Sequence, residues 1–431
     1  MKNISKYPDK NTWETLLERP VLEKKDLRNT VAEIFLKVKN EGDAAIKEFS
    51  AKFDQVAIEN FVVSEKEIES AITEVSEELK TAIKQAKENI YKFHLAQKAE
   101  SEEIETAKGV FCWRESRAIE NVGLYIPGGT APLFSTVLML AVPAQIAGCK
   151  ELILCTPPQK DGSINSAILF TAQLCGITKI FKIGGAQAIA ALTSGTESIP
   201  KVDKIFGPGN QFVTQAKQLA MEYNVAFDLP AGPSEVLVIA DKTANPMFCA
   251  ADLLSQAEHG TDSQVIFIST DEIIFNETLK EIEKQVAELP RNEIAKSALE
   301  NSRFILMNSV EEALEMSNYY APEHLILSVE NPRTYISKIN NAGSVFLGNY
   351  TPESAGDYAS GTNHTLPTNG FARNYSGVSL DSFVKKITIQ EISKTGIQNI
   401  GKTIEVMAEA EGLTAHKNAV SLRLKSLENG I

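Results

Sequence analysis

Two series of short apolar runs, separated by helical windows and ending in Gly or Pro turns, most constrain the fold of this chain. The first series occupies residues 122–126, 152–155, 180–183 and 205–206. The second series follows Pro233 and occupies residues 236–239, 265–268, 304–306, 325–329 and 345–347. Short strands that alternate with helices are typical of parallel sheets with helices on both faces. The pattern therefore predicts an α/β fold with two tandem doubly wound parallel-sheet domains.

The segments that flank these two series show helical periodicity. Apolar residues recur at helical spacing along residues 27–38 and 68–90, and Ser64 with Glu67 forms a capping box before the second stripe. The same spacing recurs near the C-terminus in Ile397, Ile400, Ile404 and Met407. We predict a helical N-terminal region, two incomplete Rossmann-like domains and a helical C-terminal tail, with boundaries at residues 1–118, 119–233, 234–380 and 381–431.

The charge balance and the apolar pattern exclude several classes of partner. The chain has 43 Lys and Arg against 56 Asp and Glu, a formal net charge of −13, which repels phosphate backbones and anionic lipid surfaces. Its most apolar stretch, residues 137–142, is far shorter than the roughly 20 residues of a membrane span, and the N-terminus lacks the apolar core of a signal peptide. We expect a cytoplasmic protein without nucleic-acid or membrane partners.

Four of the five histidines lie in polar or Gly- or Pro-flanked contexts: His259, His324, His364 and His416. Together they would form a metal or acid–base site, although each alone is more simply a surface or hydrogen-bonded histidine. Gln256 and His259 lie three residues apart at the end of a predicted helix, so both can face one point as metal ligands or as acid–base partners. The fifth, His94, lies on an apolar helical stripe and is expected to be packed outside the site.

Two further features favour a functional site. Residues 349–379 are rich in small and polar residues without periodicity, and so long a loop is usually functional or disordered. Its titratable candidates, Asp357 and His364, favour function. Glu323 and His324 are neighbours whose side chains should diverge on a regular element, so they would serve two different atoms, unless they are a simple exposed loop pair.

Three glycine-rich turns follow apolar runs: Gly128-Gly129, Gly184-Gly185-Ala186-Gln187 and Gly207-Pro208-Gly209-Asn210. Parallel α/β sheets bind ligands at this end of their strands, although a plain structural role explains the glycines nearly as well. No G-x-G-x-x-G or H-E-x-x-H motif occurs. Pattern alone therefore identifies neither a dinucleotide site nor a zinc protease.

Longer motifs are spread over nearly the whole chain. They are Gly123-Leu-Tyr-Ile-Pro-Gly-Gly, Gly184-Gly-Ala-Gln-Ala-Ile-Ala-Ala-Leu, Phe206-Gly-Pro-Gly-Asn, Leu229-Pro-Ala-Gly-Pro-Ser-Glu-Val, Asp252-Leu-Leu-Ser-Gln-Ala-Glu-His-Gly, Ala321-Pro-Glu-His-Leu, Ala355-Gly-Asp-Tyr, Gly361-Thr-Asn-His and Glu411-Gly-Leu-Thr-Ala-His. In this combination they closely resemble the histidinol dehydrogenase family.

The resemblance implies specific roles for residues of this chain. A zinc site that holds the amino and imidazole nitrogens of the substrate would be formed by Gln256, His259, Asp357 and His416. The substrate would also contact Ser234, His324, His364 and Glu411. NAD would bind in the domain over residues 119–233, in a site lined by Tyr125, Gln187 and Asn210. Glu323 and His324, in the domain over residues 234–380, would be the acid–base pair.

The resemblance further implies that L-histidinol is oxidised through histidinal to L-histidine with two NAD, the final step of histidine biosynthesis. His324 would take the hydroxyl proton while hydride leaves to the first NAD, and Glu323 would activate the water that hydrates the aldehyde. The chain would form a homodimer with shared active sites, in which the C-terminal tail carries His416 to the zinc site of its neighbour.

Three other interpretations remain open at this stage. A related zinc- and NAD-dependent dehydrogenase could act on another polyol or amino alcohol, although Ser234, His364 and Glu411 argue against it. A zinc hydrolase would also use a Glu base with His and Asp ligands. A metal- or amino-acid-binding protein could keep the fold without turnover.

The cysteines bear on how an aldehyde would be oxidised. Their number is odd, they lack CxxC spacing, and they lie in apolar surroundings at Cys112, Cys149, Cys155, Cys175 and Cys249. Reduced, buried thiols are expected. A nucleophilic thiol needs an electropositive, partly exposed setting, so we predict a water route through Glu323 rather than a thiohemiacetal.

Overall fold

The computed structural model describes residues 3–20, 27–128 and 131–429, so Gly129 of the first glycine-rich turn lies outside the described residues. The chain divides into two compact units. The larger unit comprises residues 1–97 and 119–382, and the smaller comprises residues 98–118 and 383–431. Both predicted parallel sheets lie in the larger unit.

Every strand predicted from the two apolar series is present. The strands are β1 (Ile4–Lys6), β2 (Ile104–Ala107), β3 (Val110–Ala118), β4 (Asn121–Tyr125), β5 (Glu151–Thr156), β6 (Lys179–Lys182), β7 (Lys204–Phe206), β8 (Ala226–Phe227), β9 (Glu235–Ala240), β10 (Gln264–Ser269), β11 (Arg303–Leu306), β12 (His324–Ser328), β13 (Ser344–Leu347) and β14 (Val384–Ile392).

Helices connect these strands and form most of the first hundred residues. They are α1 (Trp13–Leu16), α2 (Leu27–Glu41), α3 (Asp43–Phe49), α4 (Glu65–Glu74), α5 (Glu77–Leu95), α6 (Phe134–Ala147), α7 (Ser166–Leu174), α8 (Gly185–Ser194), α9 (Gln211–Ala220), α10 (Pro246–Ala257), α11 (Glu272–Glu288), α12 (Asn292–Glu300), α13 (Val310–Tyr320), α14 (Glu353–Tyr358), α15 (Lys394–Ala410) and α16 (Thr414–Glu428). None of the helices among the described residues has the length and apolarity needed to cross a membrane.

The two parallel sheets share one winding pattern. The first has the strand order β6-β5-β4-β7-β8, and the second has the order β11-β10-β9-β12-β13, with β1 added beside β11. In each sheet the chain winds outward on one side of its first strand and then crosses to the other side. The reversal lies between β4 and β7 in the first sheet and between β9 and β12 in the second. The predicted tandem doubly wound fold is confirmed.

Both faces of the second sheet are buried. Val236 and Val238 of β9 pack in one core with residues of α10, α11 and α12, whereas Leu237 and Ile239 pack in another with residues of α13. A strand covered on both faces is apolar along nearly its whole length. This is why continuous apolar runs, rather than alternation, mark the strands of this chain.

Two local predictions for the N-terminal helices are confirmed. The Ser64 side chain accepts from Glu67 N, and the Glu67 carboxylate accepts from Ser64 N at 2.8 Å, which forms the capping box before α4. His94 is fully buried in α5, and its Nδ1 lies 2.9 Å from Ile90 O.

Strands also occur where we predicted only helices. In the larger unit, β1 pairs in parallel with β11. In the smaller unit, β2, β3 and β14 form an antiparallel sheet that precedes α15 and α16. Most residues of β14 are exposed, so it lacks the apolar run that marks a buried strand. The tail is therefore helical only from residue 394.

Candidate active site

A cluster of one imidazole and three carboxylates lies at the start of β12. Glu323 directly precedes β12 and His324 is its first residue, while Glu353 and Asp357 stand one turn apart on α14. One ligand atom from each of His324, Glu353 and Asp357 lies within 4.8 Å of the other two. Such a spacing in a largely buried pocket is suited to holding a cation or moving a proton.

The backbone of Glu235, at the start of β9, holds both acid–base candidates. Its N–H donates to Glu323 Oε2 at 2.9 Å, and its carbonyl oxygen lies 3.1 Å from His324 Nδ1. A carbonyl only accepts, so Nδ1 carries a proton, and in the neutral ring His324 Nε2, 3.9 Å from Asp357 Oδ1, is the nitrogen that accepts.

The prediction that the side chains of Glu323 and His324 diverge is wrong. Glu323 Oε2 lies 3.6 Å from His324 Nδ1. Side chains alternate only within a regular strand, and Glu323 lies before β12, close to Ala321 with its left-handed backbone at φ 56°.

The Glu235 carboxylate is itself buried and paired with Arg19. The guanidinium donates from Nε and Nη2 to the two carboxylate oxygens, the second at 3.0 Å, and lies 3.8 Å from the centre of the Tyr320 ring. Tyr320 is fully buried, and its hydroxyl donates to Gln264 at 2.8 Å. Sequence reasoning missed Arg19 because no local pattern links residues 216 positions apart.

Gln256, on α10, reaches the same cluster through Glu353. The Gln256 amide nitrogen and the Ser255 hydroxyl donate to the two oxygens of the Glu353 carboxylate. Gln256 Oε1 is buried and has no hydrogen-bond partner among the described residues. A buried carbonyl oxygen without a partner costs free energy unless a ligand satisfies it. This oxygen is therefore suited to accept a hydrogen bond or to bind a cation.

Sequence reasoning also missed Glu353. It lies in residues 349–379, where the sequence shows no periodicity and we predicted a long loop. The structure forms α14 there. Glu353 and Asp357 share one face of this helix because they are four residues apart. That spacing could have marked the pair, but Gly356 and the shortness of the helix obscure it.

The charges of this cluster shift one another's protonation. Burial opposes a charged imidazole, but the carboxylates of Glu323, Glu353 and Asp357 outweigh it and raise the pKa of His324 to about 10. Burial raises the pKa values of Glu323 and Glu353. A pocket with more carboxylates than cationic groups attracts a divalent cation.

The remaining candidate residues differ from one another in how exposed their side chains are. Ser234 is half-buried directly before β9, and His259, which follows α10, is exposed. Partial desolvation by neighbouring protein atoms lowers the pKa of His259, which favours the neutral imidazole that metals bind. Glu411 and His416 are exposed and belong to the smaller unit, so they are not part of the cluster that the larger unit forms.

A cavity of about 870 Å³ lies at the carboxyl ends of the first parallel sheet. Its volume is within the roughly 300–1,000 Å³ typical of small-molecule sites. The structure brings all three candidate NAD contacts into its lining, namely Tyr125 at the end of β4, Gln187 on α8 and Asn210 before α9.

Two of these residues offer hydrogen-bond donors to the cavity. The Tyr125 hydroxyl oxygen accepts from Gly185 N at 3.1 Å, and burial raises the pKa of Tyr125 to about 12, so its O–H stays available to donate. Asn210 Oδ1 accepts from Phe212 N and Val213 N as the N-cap of α9. This leaves the Asn210 amide N–H groups for a ligand.

Asp54 also lines this cavity, and no sequence motif marks it. Its Oδ2 accepts from Gln187 Nε2 at 3.4 Å, and burial raises its pKa. Asp54 therefore helps to set the position of the Gln187 amide.

The turn that carries Asn210 is fixed by a buried ion pair. Lys217 donates to Gly207 O at 2.8 Å and to the carboxylate of Asp228, which in turn accepts from Gly207 N at 2.8 Å. Gly207 has φ 127°, and a Cβ there would lie 1.9 Å from Tyr125 O. Only glycine fits this position.

Helix α6 links the cavity to the cluster. Ala131 and Pro132, just before α6, line the cavity. Thr136 Oγ1, in the first turn of α6, lies 3.1 Å from His364 Nε2, and His364 Nδ1 lies 3.0 Å from the backbone oxygen of Asp357. Burial lowers the pKa of His364.

None of the five cysteines, all of which are among the described residues, forms a disulfide. Cys155, Cys175 and Cys249 are buried, whereas Cys112 and Cys149 are half-buried, so the prediction of burial holds for only three of them. Burial raises the pKa values of Cys149 and Cys175 to about 11, which disfavours the nucleophilic thiolate.

A nicotinamide-dependent dehydrogenase requires a cavity for its nucleotide and, close by, a group that can accept a proton. In this structure α6 links such a cavity to such a group. Comparison with known proteins identifies the family. The family model for histidinol dehydrogenase matches residues 17–424. The histidinol dehydrogenase of Bacteroides thetaiotaomicron is 59% identical over 428 residues, which cover 99% of this chain and 100% of that protein.

Two further comparisons agree. The histidinol dehydrogenase of Haemophilus influenzae is 53% identical over 413 residues, which cover 96% of each chain. A crystal structure of histidinol dehydrogenase from Elizabethkingia anophelis has a TM-score of 0.98 and 61% identity, and covers 99% of this chain and 98% of that one. This chain belongs to the histidinol dehydrogenase family, the NAD-linked oxidoreductases of histidine biosynthesis, as its motifs predict.

Proposed function

We propose that this chain oxidises L-histidinol through histidinal to L-histidine with two NAD, and that residues 119–233 bind the cofactor while residues 234–380 carry the acid–base chemistry. One observation supports this most directly. Glu323 and His324 are held by the two backbone groups of one residue, Glu235, beside a carboxylate cluster. The cytoplasmic location remains a prediction.

We propose a zinc ion as the cation of this cluster. The unpartnered buried oxygen of Gln256 and the Asp357 carboxylate fit a metal, and His259 favours its neutral form. The fourth ligand would be His416 of a second copy of the chain. When bound, Zn²⁺ would supply a Lewis acid that holds the amino and imidazole nitrogens of the substrate.

His324 would accept the hydroxyl proton in the first oxidation. With its Nδ1 proton directed to Glu235 O, the ring presents Nε2 as the base. The carboxylates that raise its pKa are the same groups that a cation would neutralise, which returns the imidazole toward the neutral form that a base requires. NAD bound in the cavity would supply the hydride acceptor.

Glu323 would activate water in the second oxidation. Burial raises its pKa, so its carboxylate is a stronger base than one in water. It shares the Glu235 anchor with His324, which keeps both groups at one substrate carbon. Ser234 and His364, with Glu411 from a second copy, would position the substrate.

An assay of NAD reduction with L-histidinol tests the proposed function. We expect two NADH for each L-histidine formed, because the alcohol and the aldehyde are oxidised in turn. Reduction of NAD by another polyol or amino alcohol, with none by L-histidinol, would assign the chain a different substrate. Turnover without NAD would point to hydrolysis instead.

Replacing His259 with Asn is expected to weaken both zinc retention and turnover, because loss of a ligand removes metal affinity directly. A chelator should abolish the activity of the unmodified chain, and added Zn²⁺ should restore it. Zinc content is measured by elemental analysis after dialysis, beside NAD reduction. Unchanged zinc content in the variant would remove His259 from the ligand set.

Replacing Asn210 with Asp is expected to raise KM for NAD about 2- to 13-fold with little change in stability. Asp caps a helix as well as Asn does, so α9 keeps its cap, but the carboxylate donates no hydrogen bond to the cofactor, a loss of about 0.5–1.5 kcal/mol. Steady-state kinetics and thermal unfolding check this. An unchanged KM for NAD would remove Asn210 from the cofactor site.

We propose a homodimer in which each chain lends His416 to the zinc site of its neighbour. A 1:1 mixture of a His416→Asn chain and a Glu323→Gln chain, each nearly unable to form L-histidine alone, should regain roughly a quarter of the full rate of L-histidine formation after random exchange, because half of the dimers then hold one intact site. Mixed dimers that form, as seen with differently tagged chains, but stay inactive would contradict the crossing.

A further inference from the structure

The hydrogen bond from the Gln256 amide nitrogen to Glu353 bears on the orientation of the Gln256 amide. The amide nitrogen faces a carboxylate, which in its ionised form only accepts hydrogen bonds. Its oxygen therefore points to the opposite side, where it is buried without a partner among the described residues. Without the carboxylate, nothing in this contact would distinguish the amide nitrogen from the amide oxygen.

We propose that Glu353 is a positioning residue, which orients the Gln256 amide so that its oxygen, and not its nitrogen, faces the metal. This inference rests on the proposed zinc site. An amide nitrogen has no lone pair to offer a cation, so a reversed amide would remove one ligand. Groups that orient ligands in this way commonly change metal affinity by about 10–100-fold.

The contacts of Glu353 favour this role over direct ligation. One oxygen accepts from Gln256 and the other accepts from Ser255 Oγ at 2.9 Å, so both are already engaged by consecutive residues of α10. Glu353 is almost fully buried. One turn later, Asp357 presents a carboxylate that neither of these donors engages.

A double-mutant cycle on the full-length protein separates orientation from charge. The affinity for Zn²⁺ alone is measured by competition with a chelator in the unmodified chain, in Glu353→Gln, in Gln256→Ala and in the double variant. Glu353→Asp keeps the charge but shortens the side chain by one methylene, so it no longer reaches the amide. Ser255→Ala is the matched control, since it removes the other hydrogen bond of the same carboxylate.

We expect Glu353→Gln and Glu353→Asp each to weaken Zn²⁺ binding about 10–100-fold, and Ser255→Ala to change it less than about threefold. In the Gln256→Ala background, Glu353→Gln should have no further effect, because the group it orients is gone. The absorption spectrum of the Co²⁺-substituted protein should change in both Glu353 variants. Thermal unfolding of the metal-free variants checks that they remain folded.

Two results would overturn the inference while leaving the zinc site intact. One is tight Zn²⁺ binding by both Glu353 variants. The other is an equal loss on Glu353→Gln with or without Gln256, which would show that Glu353 acts by its charge or as a ligand. Absence of Zn²⁺ binding by the unmodified chain would instead overturn the proposed metal site, and this inference with it.

Discussion

Glu323→Gln is expected to slow the oxidation of supplied histidinal by about 10²–10⁴-fold, the range for loss of a general base. Oxidation of the alcohol should fall far less. The amide oxygen of Gln can still accept from Glu235 N, so the local geometry of the strand start is preserved. NAD reduction is measured separately with L-histidinol in a single turnover and with histidinal as the substrate.

The cysteines provide the control for this experiment. Cys112→Ser and Cys149→Ser, at the half-buried thiols, should leave both oxidations near the level of the unmodified chain. A cysteine variant that loses only aldehyde oxidation would establish a thiohemiacetal route. Equal losses of both oxidations in Glu323→Gln would mean that Glu323 acts mainly on the neighbouring His324.

Arg19→Met is expected to lower the free energy of unfolding by about 3–5 kcal/mol, the usual cost of leaving one member of a buried ion pair unpaired. The guanidinium is replaced by a chain that cannot donate to the buried Glu235 carboxylate. Since the backbone of Glu235 holds Glu323 and His324, kcat should fall as well. Urea-induced unfolding, followed by fluorescence, reports the stability.

The double variant Arg19→Met with Glu235→Leu is the matched control. It removes both charges, and hydrophobic replacement of a buried pair is often close to neutral for stability. Arg19→Lys should lie between the unmodified chain and Arg19→Met, because one ammonium cannot make the paired hydrogen bonds of a guanidinium. A double variant as unstable as Arg19→Met would indicate that lost packing, rather than the unpaired carboxylate, causes the change.

The buried parts of the fold could be predicted from sequence because burial on both faces makes a strand apolar along most of its length. The strands β4 and β9 are of this kind. By contrast, β1 has only three residues at the edge of a sheet, and β14 is mostly exposed. Their strand structure depends on pairing with distant partners, β11 and β3, that no local pattern reveals.

The candidate site was predictable where a residue belongs to a family motif, and unpredictable where its role depends on a distant contact. Gln256, His324 and Glu235 stand in such motifs, whereas Arg19 and Glu353, which pair with Glu235 and Gln256, do not. Arg19 and Glu353 act through side-chain pairs that form only in the folded chain. Asp54 likewise meets Gln187 across a cavity that exists only after folding.

The buried ion pair of Lys217 and Asp228 keeps one wall of the proposed NAD cavity rigid, and this affects how readily NAD binds a second time. Under the proposed reaction, one cavity must accept two NAD molecules in succession while the aldehyde is retained. A loop that ordered itself around each cofactor would lose conformational entropy twice in every catalytic cycle. The Gly207 turn is instead fixed by internal hydrogen bonds, so the second NAD meets the same preorganised wall as the first.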